Sequence, residues 1–357
     1  MSGKDISLVL DALIEQDACF AIYRLPGEQE PRFVMQTTDD PLLLHDFEQL
    51  NEKRGFVIAP FRITPASPLI VIHPDCTELS EVDTNVADKS REKSVAKKHT
   101  KYRKSDYDAL FQQFHKSLLN GEIMKLVLSR SKTLKREDTF SPGQSFLRAA
   151  EKYIHSFVYL FHTPQSGTWL GSTPEILLAG SQNEWQTVAL AGTRFPNSGN
   201  VSWDDKNLRE QHLVTSYILK QLTSFQISPE INGPYTVKAG SLAHLRTDFS
   251  FSLPDNPKTG TLLKTLHPTP AVSGLPKDKA FQFILEHEGY DRRYYTGFLG
   301  MIDPLAETNL YVNLRCMQIE KNSLTLFAGS GLLSSSTCKD EWKETEQKLK
   351  TMASIVK

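Results

Sequence analysis

The stretch SLTLFAGSGLLSSSTCKDEWKETEQKL (323–349) governs the reading of the whole chain. Its first six residues have the apolar, β-prone content of a buried strand. Gly329-Ser330-Gly331 follows, where a turn of glycines would let backbone N–H groups close on an anion. It is not the six-residue GxGxxG pattern, because Ser334 takes the last glycine's place. Thr337 and Asp340 then form a capping pattern that opens a helix. On that helix Glu341, Glu344 and Lys348 fall at i, i+3 and i+7 and share one face. Trp342, Thr345, Leu349 and Met352 line another face and pack inward. By itself the Glu/Lys face is that of a solvated, ion-paired helix. Directly after the glycines it is also an acidic stripe suited to a metal.

The same grammar extends through the chain. IMKLVLSRSKTL (123–134) reads as a strand with Lys125, Val127 and Ser129 on one face and Leu126 and Leu128 on the other. Before it comes a helix, capped by Ser105 and Asp108, with Tyr107, Leu110, Phe111, Phe114 and Leu118 inward and Gly121 as its stop. Further strands are expected at 153–162, 168–172, 175–180, 185–192, 235–253, 295–302 and 310–319. Helices are expected at 204–222 and 277–288, and a proline-rich loop at 266–276. Many strands of mixed length among few helices predict an α+β fold with extensive antiparallel sheet, not regular βαβ units. Residues 1 to about 85 read as loop-rich, with short strands at 56–61 and 67–74. KSREKSVAKKHTKYRK (89–104) reads as a solvated basic linker; a phosphate or nucleic-acid patch is the alternative, but no interleaved aromatics or glycines support it.

Bulk composition narrows the class. With 41 Lys+Arg against 42 Asp+Glu the net charge is −1, which excludes a globally basic nucleic-acid binder. Charged residues at 23% and hydrophobic residues at 39% exclude a disordered or collagen-like chain. No run approaches the length of a transmembrane helix, and MSGKDISLVLDALIEQDACF lacks the signature of a signal peptide. The four cysteines are scattered without a CxxC, as expected of reduced thiols in a cytoplasmic protein.

Several isolated charges stand out. Lys125 interrupts an apolar strand, Glu175 opens another after Ser-Thr-Pro, and Arg315 sits in YVNLRC. A buried lysine or glutamate is costly unless paired or functional, and burial pushes a lysine towards a base and a glutamate towards a proton donor. An arginine can grip a carboxylate with two hydrogen bonds. Edge-strand exposure explains each residue equally well on sequence alone. Glu210 and His212 lie on the 204–222 helix. Glu210 with Glu344 makes an oxygen-only pair that suits Mg2+, whereas no His or Cys cluster suits zinc.

Taken in order, KLVLSR (125–130), GSTPEILL (171–178), ALAGTR (189–194), REQHLV (209–214), LHPTPAVSGLP (266–276), EGYDRRYYTGFLG (288–300), VNLRC (312–316), AGSGLL (328–333) and EWKETEQKL (341–349) resemble the chorismate-utilising enzymes. The likeness spans about 225 residues and is greatest to the isochorismate-forming branch. It implies two large, mostly antiparallel sheets stacked with helices outside. Residues 1–95 would be the variable N-terminal part and 96–357 the catalytic part. It implies Mg2+-dependent conversion of chorismate to isochorismate, with chorismate the sole partner and no obligate protein, nucleic acid or membrane. Lys125 would be the base and Glu175 the acid; Glu210 and Glu344 would hold Mg2+. Gly192, Thr193, Ala271, Tyr295, Arg315, Gly329, Gly331 and Lys348 would line the substrate site, with His212 a further candidate.

Two positions discriminate within the family. Relatives that attack the ring with a lysine carry it where this chain has Ala191, and ammonia-using relatives have glutamine where this chain has Lys125. Water is therefore the implied nucleophile. Salicylate synthases share both features and remain the alternative, followed by a non-catalytic relative. Departures from the family pattern are Ser330 within AGSG, Arg293 in DRR, and the lack of a glycine after HLRT.

Overall fold

A computed structural model describes residues 3–37, 40–82, 103–195, 201–240, 242–254 and 257–356. The basic run 89–104 therefore lies almost wholly outside the described residues. Helices are α1 (Gly3–Glu15), α2 (Lys104–Leu119), α3 (Pro142–Lys152), α4 (Asp205–Ser224), α5 (Thr259–Leu266), α6 (Lys277–His287) and α7 (Cys338–Ala353).

Two antiparallel sheets carry the rest. The first, of eight strands, runs in spatial order Gly274–Leu275, Lys125–Lys135, Ser323–Leu332, Cys316–Ile319, Gly167–Thr173, Phe157–Thr163, Phe20–Arg24 and Arg32–Met35. The second, of nine, runs Glu230–Ala239, Leu242–Phe251, Glu184–Arg194, Ile176–Ser181, Thr308–Val312, Phe298–Ile302, Gly55–Ala59, Leu69–Ile72 and Leu42–Leu44.

The period of two explains the layering. In Phe157–Thr163, Phe157, Tyr159 and Phe161 enter the core between the sheets, while Val158 and Leu160 pack outward with α1 and α3. In Leu69–Ile72, Ile70 and Ile72 point inward and Leu69 and Val71 join α4 and α5 on the far side. Both faces of these inner strands are thus covered, which is why they read as continuous apolar runs rather than alternating ones, whereas the edge strand Glu230–Ala239 is mostly exposed. Trp169, fully buried between the sheets, stacks on Phe327 at 5.5 Å. Outside the first sheet, α2 and α6 close over Leu126 and Leu128, and α7 adds Leu349 and Met352.

The α+β class and the outward helices agree with expectation; several details differ. The first 85 residues hold α1 and five strands that pair into both sheets. The α2 cap is Arg103, whose N–H donates to the Asp106 carboxylate at 2.9 Å, not the Ser105–Asp108 pair, because the helix begins two residues earlier. Gly121 does end that helix, at φ +76°. The 235–253 stretch is a hairpin of two strands, and α5 precedes the proline-rich loop.

Two other differences position the site. The expected strand 310–319 is two strands in different sheets, Thr308–Val312 in the second and Cys316–Ile319 in the first. Likewise Gly167–Thr173 belongs to the first sheet and Ile176–Ser181 to the second. Arg315 and Glu175 sit at these two switches. The crossings are tied to each other: Ser172 N–H donates to the Arg315 carbonyl at 3.2 Å and Val312 N–H to the Glu175 carbonyl at 2.9 Å. Arg315 makes its turn in the left-handed region, at φ +45°, which a non-glycine residue adopts only when its surroundings hold it there.

Candidate active site

Beside the switches lies a cavity of about 650 Å³, its mouth included. Glu175, Gly192, Thr193, Glu210, Ala271, Tyr295, Arg315, Gly329, Gly331, Glu344 and Lys348 all line it. Lys125 lies just behind, with Nζ 3.0 Å from Glu210 Oε1. His212 does not join them: its position on α4 turns it to solvent, where it lies 3.5 Å from the Ser216 hydroxyl.

Glycine has a different use here from the one expected. Gly329 and Gly331 do not form a turn; they lie within the strand Ser323–Leu332, paired with Ser129 and Val127. A Cβ on Gly331 would fall 2.0 Å from Glu210 Oε1 and 3.1 Å from Lys125 Cε. One on Gly329 would fall 3.0 Å from the Tyr295 hydroxyl. The two glycines therefore clear the strand's cavity face so that side chains from α4 and the neighbouring strand can reach across it.

Charge is concentrated and paired. Lys125 meets Glu210, Lys206 meets Glu341, and Lys348 meets Glu344 at 2.7 Å. Lys348 also donates to the Gly329 carbonyl at 2.9 Å. Far from being a solvated stripe, the acidic face of α7 is drawn inward, with Glu341 only 1% exposed. Burial, reinforced by neighbouring Glu344, raises the Glu341 carboxyl to about 7. Glu210 goes the other way: burial opposes its ionisation, but Lys125 and Lys206 more than offset that and hold it below the usual range.

Glu175 is the exception among these carboxylates. Only 3% exposed, it has no lysine bonded to it among the described residues, and its carboxylate accepts a long hydrogen bond, 3.5 Å, from the Thr269 hydroxyl. Burial raises it to about 7, against the pull of Lys125 and Lys348. It is thus poised to hold and release a proton near neutrality.

His244, which sequence reasoning missed, fixes Arg315. Its Nδ1–H donates to the Gly192 carbonyl at 2.9 Å and its Nε2 accepts from Arg315 Nη2. Burial and the adjacent Arg315 hold the imidazole neutral, far below its ordinary range. Arg315 Nη1 donates to the Ala239 carbonyl at 2.9 Å. Burial lowers the guanidinium to about 10, and it carries a charge suited to an anionic ligand. On the opposite wall, Thr193 N–H donates to Asn207 and Ala191 N–H to Gln211, so two α4 amides support the irregular end of the strand Glu184–Arg194. Sequence gave no sign of these supports beyond polar residues on a helix.

The donor set suits a hard cation. The carboxylates of Glu210, Glu341 and Glu344 supply oxygen ligands, the two ring nitrogens of His244 are taken by Gly192 and Arg315, and Glu341 Oε2 is buried without a hydrogen-bond partner. Among the described residues no three acidic, histidine or cysteine side chains form a ready-made cage. Two carboxylates, Glu210 and Glu344, with water and a substrate oxygen completing the shell, is the arrangement Mg2+ commonly accepts.

A mostly antiparallel two-sheet sandwich with its cavity where chains change sheets defines the class. Its backbone matches that of MenF, the menaquinone-specific isochorismate synthase of Escherichia coli, with a TM-score of 0.78 over 98% of this chain and 91% of that one, at 22% identity. The chain belongs to the chorismate binding enzyme family, which matches residues 50–357. It is 30% identical over 265 residues to the isochorismate synthase DhbC of Bacillus subtilis, covering 69% of this chain and 66% of that protein. It is 31% identical over 247 residues to the isochorismate synthase EntC of E. coli, covering 66% and 62%. The aligned region thus spans somewhat less than two thirds of these relatives. Among the described residues no helix is long and apolar enough to cross a membrane.

Proposed function

We propose that this chain is an isochorismate synthase, an isomerase that converts chorismate to isochorismate. The observation that carries the reading is Glu175, raised to about 7 in the same site as the Lys125–Glu210 pair. A reaction that adds water at one ring carbon and expels hydroxyl from another needs one group to take a proton and one to give it. Lys125 removes a proton from water as its oxygen bonds to C2 of the ring. The ring double bonds shift, the C4–O bond breaks, and Glu175 protonates the departing oxygen so that it leaves as water. One water enters and one leaves, and the two protein groups exchange roles by one proton.

The remaining residues orient a dianion. Arg315 and Lys348 offer cationic donors, and the backbone around Gly192–Thr193 and Gly329–Gly331 offers close approach. Mg2+ held by Glu210 and Glu344 would supply positive charge against the ring carboxylate. Ala271 and Tyr295 shape the wall. The lining residues all fall at or after Val127, which supports assigning catalysis to residues 96–357 and a framework role to residues 1–95. The four free cysteines suit a cytoplasmic setting. Relatives named menaquinone-specific and vibriobactin-specific support a quinone or a siderophore route for the product.

The test is incubation with chorismate and Mg2+, followed by chromatography. Isochorismate is the expected product. Salicylate with pyruvate would replace this reading by that of a salicylate synthase, and unchanged chorismate would overturn both.

A further inference from the structure

One fully buried cation lies outside the chemistry above. Arg292, 2% exposed, forms a two-point ion pair with Glu288, Nε to Oε2 at 2.5 Å and Nη2 to Oε1 at 2.7 Å. Its other donors reach three separate segments. Nη2 donates to the Val127 carbonyl at 2.8 Å, and Nη1 to the Val272 carbonyl at 2.8 Å and the Thr296 hydroxyl at 3.3 Å. All five guanidinium N–H groups are therefore used. Glu288 is equally occupied: its Oε1 also accepts the Ser129 N–H and hydroxyl, each at 2.8 Å.

The three partners are not scattered. Val127, Val272 and Thr296 all line the substrate cavity. Each adjoins a residue assigned above: Val127 is two residues from Lys125, Val272 follows Ala271, and Thr296 follows Tyr295. The Phe61 ring packs on the guanidinium at 4.5 Å. A buried ion pair is weak evidence for stability, since two apolar side chains often serve as well. Here the pair sits where three cavity walls meet and spends its donors on their backbones.

We propose that Arg292, oriented by Glu288, is a positioning residue that sets the relative placement of the base-bearing strand, the 269–273 loop and the 294–297 turn. This rests on the isochorismate synthase reading for its kinetic consequence, though not for its geometry. Lysine keeps the charge but has three donors on a single nitrogen, and it cannot hold a carboxylate by two points and three further acceptors at once.

The test is Arg292→Lys, read by steady-state kinetics with chorismate and by hydrogen exchange. The expected result is a folded protein whose kcat falls roughly 10- to 100-fold while KM changes less than about threefold, because misplacement of catalytic groups by an ångström has effects of that size. Amides in 125–129, 269–273 and 294–297 should exchange faster, with the rest unchanged. A folded variant with kcat within twofold of the parent and the same exchange pattern overturns the proposal, as does faster exchange spread evenly over the chain. Should Arg292→Lys not fold, Thr296→Val, which removes the longest of the five bonds together with the Thr296 hydroxyl's own bond to the Tyr295 carbonyl, should show the same pattern at smaller amplitude; parental kcat and exchange in that variant would overturn the proposal. If the parent protein leaves chorismate unchanged, the functional reading fails, and hydrogen exchange still decides the role of Arg292.

Discussion

Lys125 and Arg292 are both cations buried in the same half of the molecule, and they are treated in opposite ways. Every donor of Arg292 is bonded. Lys125 is fully buried with a carboxylate at 3.0 Å, yet its Nζ makes no hydrogen bond of good geometry. A saturated charge holds structure in place. An unsaturated one is costly to bury and persists where chemistry requires it. Under the proposed function, the difference marks Lys125 as the functional charge and Arg292 as the architectural one.

Breaking that contrast should give the largest effects. Lys125→Met is expected to reduce turnover roughly 1,000-fold, the middle of the range for losing a general base. The denaturation midpoint should fall modestly, since Glu210 loses its nearest cation but keeps the attraction of Lys206. Arg292→Met should cost more, roughly 3–5 kcal/mol, because Glu288 is left buried without its two-point partner. Chemical denaturation of the two variants side by side checks both; equal destabilisation would erase the distinction.

Glu175→Gln sharpens the contrast next, with a loss of roughly 100-fold. It has a signature in pH as well. The acid must be protonated, so parental turnover should fall as pH rises through about 7, and the variant's residual rate should lack that limb. The carboxyl is raised in the folded state, so its favourable contribution is complete below the ordinary glutamate range and fades as pH climbs through about 7. The parent should therefore lose stability relative to Glu175→Gln between pH 5 and 8, measurable by thermal melts across that window.

Gly331→Ala should have a smaller effect. The added methyl lands 2.0 Å from Glu210 Oε1, and the carboxylate must retreat. Mg2+ activation should weaken about tenfold, given that one displaced ligand of two is at stake. A Mg2+ titration of turnover, with calorimetric Mg2+ binding beside it, reads this out. Smallest of all, His244→Gln leaves Arg315 with one anchor of two. KM for chorismate should rise a few-fold with kcat nearly unchanged, the pattern of lost uniform binding.

Local anomalies marked candidates in the sequence, a lysine in an apolar strand and acids at helical spacing on a final helix, but it was the resemblance to the chorismate-utilising enzymes that gathered them into one site, and the glycines of the 323–332 strand read as a turn. The strands were legible from β-branched runs. What escaped was information held between segments. Residues 310–319 look like one strand because every residue suits a strand; only φ +45° at Arg315, a property of tertiary surroundings, reveals the change of sheet. His244 escaped because a histidine in a buried strand has no periodic mark, and its role comes from Gly192 and Arg315, both distant in sequence. The start of α3 was in fact readable: Ser141 caps it by accepting the Gln144 N–H at 2.9 Å, and proline follows in the first turn. The inward turn of α7 was not, since spacing places acids on one face but does not say what that face meets.

The two sheet switches carry a mechanical corollary. Glu175 hangs from the passage between layers while Lys125 is fixed within one of them, so under the proposed roles the gap between the two groups is inherited from the thickness of the sandwich. Phe157 and Tyr311, stacked at 4.3 Å from opposite layers, belong to the filling that sets that thickness. Substitutions deep in the aromatic filling, far from any ligand, would then tune the reaction as a shim tunes the jaws of a vice.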